Sequence, residues 1–144
     1  MAASLTPCDF GWSLTVLAQH YEKLTTKLFA SVPKGMRGYH VLYTVVAQAP
    51  ETQQEISDYL GLDRAALIQV IHALEERKLI YRETDPHDKR IRIIKATDEG
   101  IGFLKRIQLQ LNDAENELFA SLSPSESHIL RLLTSDIANS WKNH

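Results

Sequence analysis

Apolar positions recur three and four residues apart in six stretches of the chain, and prolines, glycines and capping residues divide them. The first stretch, residues 10–32, aligns Leu14, Leu17, Tyr21, Leu24 and Leu28 on one helical face, and Pro33-Lys34-Gly35 ends it. A second helix over roughly 37–48 carries Tyr39, Leu42, Tyr43 and Val46, with Pro50 as its stop. The third, TQQEISDYL, opens at Thr52, which can cap the helix while Glu55 completes a capping box. Gly61-Leu62-Asp63 makes a tight turn, and RAALIQVIHALEERK follows at once as a fourth helix. Residues 79–84 and 90–97 then read as two short strands around Asp85-Pro86-His87-Asp88-Lys89. Thr97 caps a long helix from 98 to about 121, with Ile101, Leu104, Ile107, Leu111 and Leu118 along one side. Ser123-Pro124-Ser125-Glu126 opens a last helix, running to about 141, with a cap, a proline at the first helical position and a capping-box glutamate.

The predicted fold is mainly α with a small β-wing, in the order α-α-α-α-β-β-α-α. Two helices joined by a tight turn and followed by a cationic hairpin make a helix-turn-helix with a wing, a unit that can reach the major and minor grooves of DNA together. The chain reads as one domain, 1–144, with a DNA-reading lobe over 52–97 and a helical dimerisation lobe over 9–32 and 104–144. The helices outside the reading lobe carry wide apolar stripes that a lone copy of so small a chain would struggle to cover. Pairing two copies would bury them in a two-fold interface. The alternative is that they fold back on the module as the core of a monomer.

Within the fourth helix, Leu67, Val70, Ile71 and Leu74 recur at helical spacing and are expected to pack against Ile56 and Leu60. That leaves Arg64, Ala65, Ala66, Ile68, Gln69 and His72 facing outward. Arg64 and Gln69 are the candidate base readers, because arginine pairs bidentately with guanine and glutamine with adenine. Ala65 and Ile68 offer methyl contacts to thymine, and His72 is either a groove-edge contact or a plain surface histidine. In the wing, Arg90 is placed to enter a narrow minor groove. Asp88 is placed to pair with Arg90 or with Arg82 and fix the ribbon, His87 and Lys89 sit at the tip near phosphates, and Arg92 and Lys95 suit backbone contacts.

Charge qualifies this picture without overturning it. The net charge is −2, but Lys89, Arg90, Arg92 and Lys95 fall close together, while Asp113, Glu115 and Glu117 lie elsewhere. Salt screens such distant acids within about 8–10 Å. With 144 residues, 44% hydrophobic and 24% charged, the chain has the composition of an ordinary globular domain. It carries no apolar run of membrane-spanning length and no export-type N-terminus, so the expected address is the cytoplasm. One cysteine, Cys8, excludes an intramolecular disulfide. His20, His40, His72, His87, His128 and His144 are scattered without metal-ligand spacing, and neither a phosphate-binding glycine loop nor a nucleophile–base set is present. Neither an enzyme nor a resident cofactor is expected.

The run Thr52-x-x-Glu55-Ile56-Ser57-x-x-Leu60-Gly61-Leu62-Asp63-Arg64, then Ala73-Leu74-Glu75, Leu79-Ile80-x-Arg82, Asp85-Pro86-x-Asp88-Lys89-Arg90 and Ala96-Thr97-x-x-Gly100, resembles the MarR family of winged-helix transcriptional regulators. The Asp88-x-Arg90 wing and Thr97-x-x-Gly100 are its most specific pieces. The resemblance implies a homodimer paired through its terminal helices, most simply a repressor of a palindromic double-stranded operator. It also implies release of DNA when a small aromatic or phenolic effector binds between the two lobes. Trp12, His20, Tyr21, Tyr39, His40 and Tyr43 lie on the helices that would line such a pocket. Two departures stand out: Ala65, Ala66 and Ile68 where the family commonly has serine or threonine, and Lys78 where it usually has glycine. One branch of the family senses peroxide through a cysteine in the first helix, which makes Cys8 a redox alternative, although its local sequence does not match that branch. A winged helix that binds only protein is the other alternative.

Overall fold

The structure is a computed structural model and describes residues 9–49 and 51–142. Six helices and three strands follow in the order α1 (Phe10–Ala30), α2 (Gly35–Ala47), β1 (Glu51–Thr52), α3 (Gln53–Leu60), α4 (Arg64–Glu76), β2 (Ile80–Thr84), β3 (Arg92–Ala96), α5 (Asp98–Leu118) and α6 (Pro124–Lys142). The helices are those the periodicity predicts, with ends displaced by at most three residues, about the ordinary uncertainty of a helix terminus. Strand β1 was not expected. Two residues are too few to show an alternating pattern, and it forms only because the chain entering α3 lies along β3.

The chain divides into two compact units. In the first, Lys27–Gln110, the sheet has the order β1-β3-β2, with both pairings antiparallel and Arg82 opposite Ile94. Val41, Leu42 and Val45 of α2, Ile56 of α3, Leu67, Val70, Ile71 and Leu74 of α4, and Leu79, Ile80 and Ile94 around the wing root form one buried cluster. Burying side chains of this size contributes about 1.5–3 kcal/mol each. That cluster holds α3 and α4 rigidly against the wing.

The second unit combines the described residues up to Thr26 with those from Leu111 to Lys142. Arg131 of α6 pairs with Glu115 of α5 and lies over the Phe119 ring at 5.2 Å. Much of this unit's apolar surface is uncovered: Phe10, Trp12, Leu14 and Leu17 on α1, and Ile129, Leu132, Leu133, Ile137 and Trp141 on α6, are exposed. Helix α6 buries none of its residues. No helix among the described residues is long and apolar enough to cross a membrane.

Candidate nucleic-acid interface

The helix-turn-helix is assembled by local hydrogen bonds that the sequence specifies. Thr52 Oγ1 accepts from the Glu55 amide at 3.2 Å, and Glu55 Oε2 accepts from the Thr52 amide at 3.4 Å, so the capping box is complete. Gly61, at φ 65°, ends α3 in the left-handed region, where a side chain would be strained. Ser57 Oγ donates to the Leu62 carbonyl at 2.6 Å and tightens the turn. Asp63 then caps α4 by accepting from the Ala66 amide at 2.7 Å.

Helix α4 buries Leu67, Val70, Ile71 and Leu74, the stripe its spacing predicts. Ala65, Gln69 and His72 are exposed on the opposite side, and Arg64, also exposed, lies at the edge of the buried stripe. Ala66 and Ile68 differ from expectation: both are half-buried, because they flank the buried stripe and do not oppose it. The end of α4 shows what replaces the usual glycine. Lys78 adopts φ 57°, its amide reaches the Glu75 carbonyl at 2.9 Å, and the Leu79 amide reaches Leu74 at 3.0 Å. This is a Schellman closure with lysine in the left-handed position, so the helix ends in the ordinary way at a steric cost of about 1 kcal/mol.

Thr97 and Gly100 join the wing root to α5. The Thr97 hydroxyl donates to the Lys78 carbonyl at 2.6 Å and accepts from the Gly100 amide at 2.9 Å, while the Thr97 amide donates to the Leu79 carbonyl at 3.0 Å. A Cβ on Gly100 would lie 2.0 Å from that same Leu79 oxygen, so only glycine permits the approach.

At the wing tip, Asp85 Oδ1 accepts from the His87 amide at 2.7 Å and the Asp88 amide at 3.3 Å, which folds the turn. Of the two partners open to Asp88, the structure selects Arg90. Asp88 Oδ1 accepts from Arg90 Nε and Oδ2 from Nη2, both at 3.1 Å, and Oδ1 also accepts the Arg90 amide at 3.0 Å. The Arg90 guanidinium, and next its amide, hold the Asp88 carboxyl below its ordinary 3.8. The Arg90 side chain nevertheless stays 90% exposed, so it is aimed but not covered. His87, Lys89 and Arg92 are exposed beside it. Two further cations of the hairpin are paired within the chain. Arg82 Nε donates to Glu75 Oε1 of α4 at 2.8 Å, and Lys95 Nζ pairs with Glu83 at 2.6 Å, which raises the Lys95 pKa.

A cleft of about 110 Å³ opens between α3 and α4, lined by Gln53, Gln54, Ser57, Arg64, Leu67 and Ile68. Sequence reasoning missed the α3 side of it. The signal was available in the polar residues at the start of α3, but hydrophobic spacing carries no information about which polar residues face a neighbouring helix.

The six candidate effector-binding residues fall into two sets. Tyr39, His40 and Tyr43 lie in the first unit, where the Tyr39 ring centroid is 5.7 Å from Phe29, 5.6 Å from His40 and 6.3 Å from Tyr43. Trp12, His20 and Tyr21 lie in the second, where His20 lines an open cleft of about 290 Å³ with Lys23, Leu24, Glu117 and Leu118. Cys8 and His144 lie outside the described residues, among which no cluster of three or more His, Cys, Asp or Glu could hold a metal ion.

Comparison with known proteins places this geometry. The sequence model of the MarR family matches residues 38–91. A transcriptional regulatory protein assigned to the hcr operon of Thauera aromatica is 30% identical over 90 residues, 62% of this chain and 54% of that protein. The chain thus aligns with only about half the length of that relative. The PcaV regulator of Streptomyces coelicolor, solved with its natural ligand, is 26% identical with a TM-score of 0.72, over 96% of this chain and 98% of that one. CouR of Rhodococcus jostii, solved with p-coumaroyl-CoA, is 26% identical with a TM-score of 0.74, over 90% and 92%. The Thauera protein and PcaV are transcriptional regulators. With the capped helix-turn-helix, the Asp88–Arg90 wing and the Thr97–Gly100 junction in place, the chain has the winged helix-turn-helix fold of the MarR-family transcriptional regulators and is similar to that family in sequence over residues 38–91.

Proposed function

We propose that the protein is a sequence-specific DNA-binding regulator that acts as a homodimer on an inverted-repeat operator, as a repressor relieved by a small aromatic effector. The observation that carries this reading is the pairing of two exposed elements on one rigid unit. Helix α4 presents Arg64, Ala65, Gln69 and His72, and the wing presents Arg90 clamped by Asp88 and flanked by His87, Lys89 and Arg92. Helix α4 enters a major groove, where Arg64 and Gln69 read bases; Arg90 enters the adjoining minor groove; the remaining cations meet phosphates.

The uncovered apolar side chains of α1 and α6 support dimerisation, since monomers rarely expose so many large hydrophobics together. Two-fold pairing sets the recognition helices about one helical turn of DNA apart. For the effector, support comes from CouR and PcaV, both solved with bound ligands. An effector lowers operator affinity only as far as it binds the DNA-free form better.

Selection of bound duplexes from a random pool tests the reading. We expect an enriched palindrome bound by two chains, and Arg90→Ala lowering affinity for it at least ten-fold at fixed salt with the helical content unchanged. A pool that enriches nothing would favour a module that binds protein alone, and undiminished binding by the variant would remove the wing from the mechanism.

A further inference from the structure

In the cleft between α3 and α4 a half-buried isoleucine meets hydrogen-bond donors. Arg64 and Ile68 stand one turn apart on α4, at the boundary between its buried stripe and its exposed face. Leu67, 1% exposed, forms the floor, and Gln53, Gln54 and Ser57 of α3 face it. Two of these polar groups are already engaged: Ser57 Oγ donates to the Leu62 carbonyl, and Gln54 Nε2 to Asp58 Oδ1 at 2.8 Å. Among the described residues, Arg64 and Gln53 have no such partner, so they are the donors left to a ligand. At about 110 Å³ the space falls short of the roughly 300–1,000 Å³ of an effector pocket, yet exceeds the roughly 30 Å³ that one water, and by size one methyl group, occupies.

We propose that this cleft receives the 5-methyl group of one thymine in each half-site, which makes Ile68 and Arg64 joint determinants of base preference. The inference rests on the DNA-binding reading above and adds to it the identity of a base. Thymine alone among the bases places a methyl group beside a major-groove acceptor, its O4. An apolar wall next to a guanidinium, which can only donate, is the complement of that edge. Cytosine at the same place would set an amino donor against Arg64 and leave Ile68 without its methyl partner. The same logic gives the apolar departures on α4 a use: where serine or threonine would recruit water or phosphate, Ile68 recruits a methyl group.

The test uses the full chain and an operator obtained by selection. Each thymine is replaced in turn by deoxyuridine, which keeps O4 and removes only the methyl group. We expect one symmetric thymine per half-site at which the change weakens binding about four-fold per half-site, the factor for one methyl group withdrawn from water. At that site 5-methylcytosine, which keeps the methyl but exchanges the acceptor for a donor, fails to restore affinity. Ile68→Thr, which keeps the β-branch, binds the thymine and deoxyuridine forms alike. Deoxyuridine tolerated at every position overturns the proposal, as does undiminished discrimination by Ile68→Thr. The scan is made on the unaltered protein, so it decides the matter even where the variant fails to fold. Absence of any bound duplex refutes the DNA reading itself, whereas a bound operator indifferent to uracil refutes the methyl site alone.

Discussion

The ion pair between Glu75 and Arg82 links the recognition helix to the wing, and removing it tests whether the two act as one rigid reader. Glu75 lies near the end of α4 and Arg82 in the middle of β2; their side chains are 30% and 28% exposed and 2.8 Å apart. Exposed pairs contribute about 0.2–1 kcal/mol, whereas breaking a buried pair costs about 3–5 kcal/mol. This half-buried pair falls between, at about 1–2 kcal/mol on replacing Glu75 by Gln, because a partly desolvated guanidinium is left without its carboxylate. The larger effect is expected in DNA binding, through the angle at which Arg90 is delivered. Operator affinity is measured by anisotropy at fixed salt for Glu75→Gln, Arg90→Ala and the double variant. If the strut works by placing the wing, the losses are not additive, and the double variant binds about as weakly as Arg90→Ala. Fully additive losses would mean that Arg82 acts on DNA independently of Arg90. Unchanged affinity in Glu75→Gln would mean that the wing is positioned without the strut.

Three further outcomes are expected. Lys78→Gly relieves a left-handed lysine and raises stability by up to about 1 kcal/mol, less the extra entropy glycine loses on folding, in denaturant unfolding; a destabilised variant contradicts the strain. Gly100→Ala drives a Cβ towards the Leu79 carbonyl, and thermal unfolding is expected to show a loss of about 1–3 kcal/mol despite alanine's better helix propensity. The Asp88 carboxyl is held below its ordinary 3.8, so its contribution is complete above that value and is lost only as pH falls through the lowered one. The affinity ratio of the unaltered protein to Asp88→Asn is therefore expected to stay flat from pH 5 to 8, and an inflection in that window would contradict the assigned pairing.

What the sequence made legible were features whose physics is local. The capping box at Thr52, the turn at Gly61, the buried stripe of α4 and the proline start of α6 each depend on residues within one or two turns, and each is found where the spacing put it. Features that depend on distant partners were not legible. Strand β1 exists only through its pairing with Ile93 and Ile94. The engagement of Arg82 by Glu75 joins a helix to a strand, and the choice of Arg90 over Arg82 as the partner of Asp88 follows from it. Lys78 was recognisable as a departure, but whether it would bend the helix end or accept strain is decided by the Leu74 and Glu75 carbonyls and by the wing root that Thr97 fixes behind it. For the effector residues, periodicity separates apolar from polar positions, but not a ring that lines a pocket from one that packs in a core; Tyr39, packed at a tilt against Phe29, shows why.

The most direct test of the account is a base-resolved footprint of the protein on its selected operator, reading guanine N7 protection for the major groove and hydroxyl-radical protection for the minor groove. Two symmetric major-groove patches about one helical turn apart are expected, each bordered by a minor-groove patch that disappears in Arg90→Ala. Protection confined to one groove, or a single patch without its symmetric mate, would contradict the paired reader built from α4 and the wing.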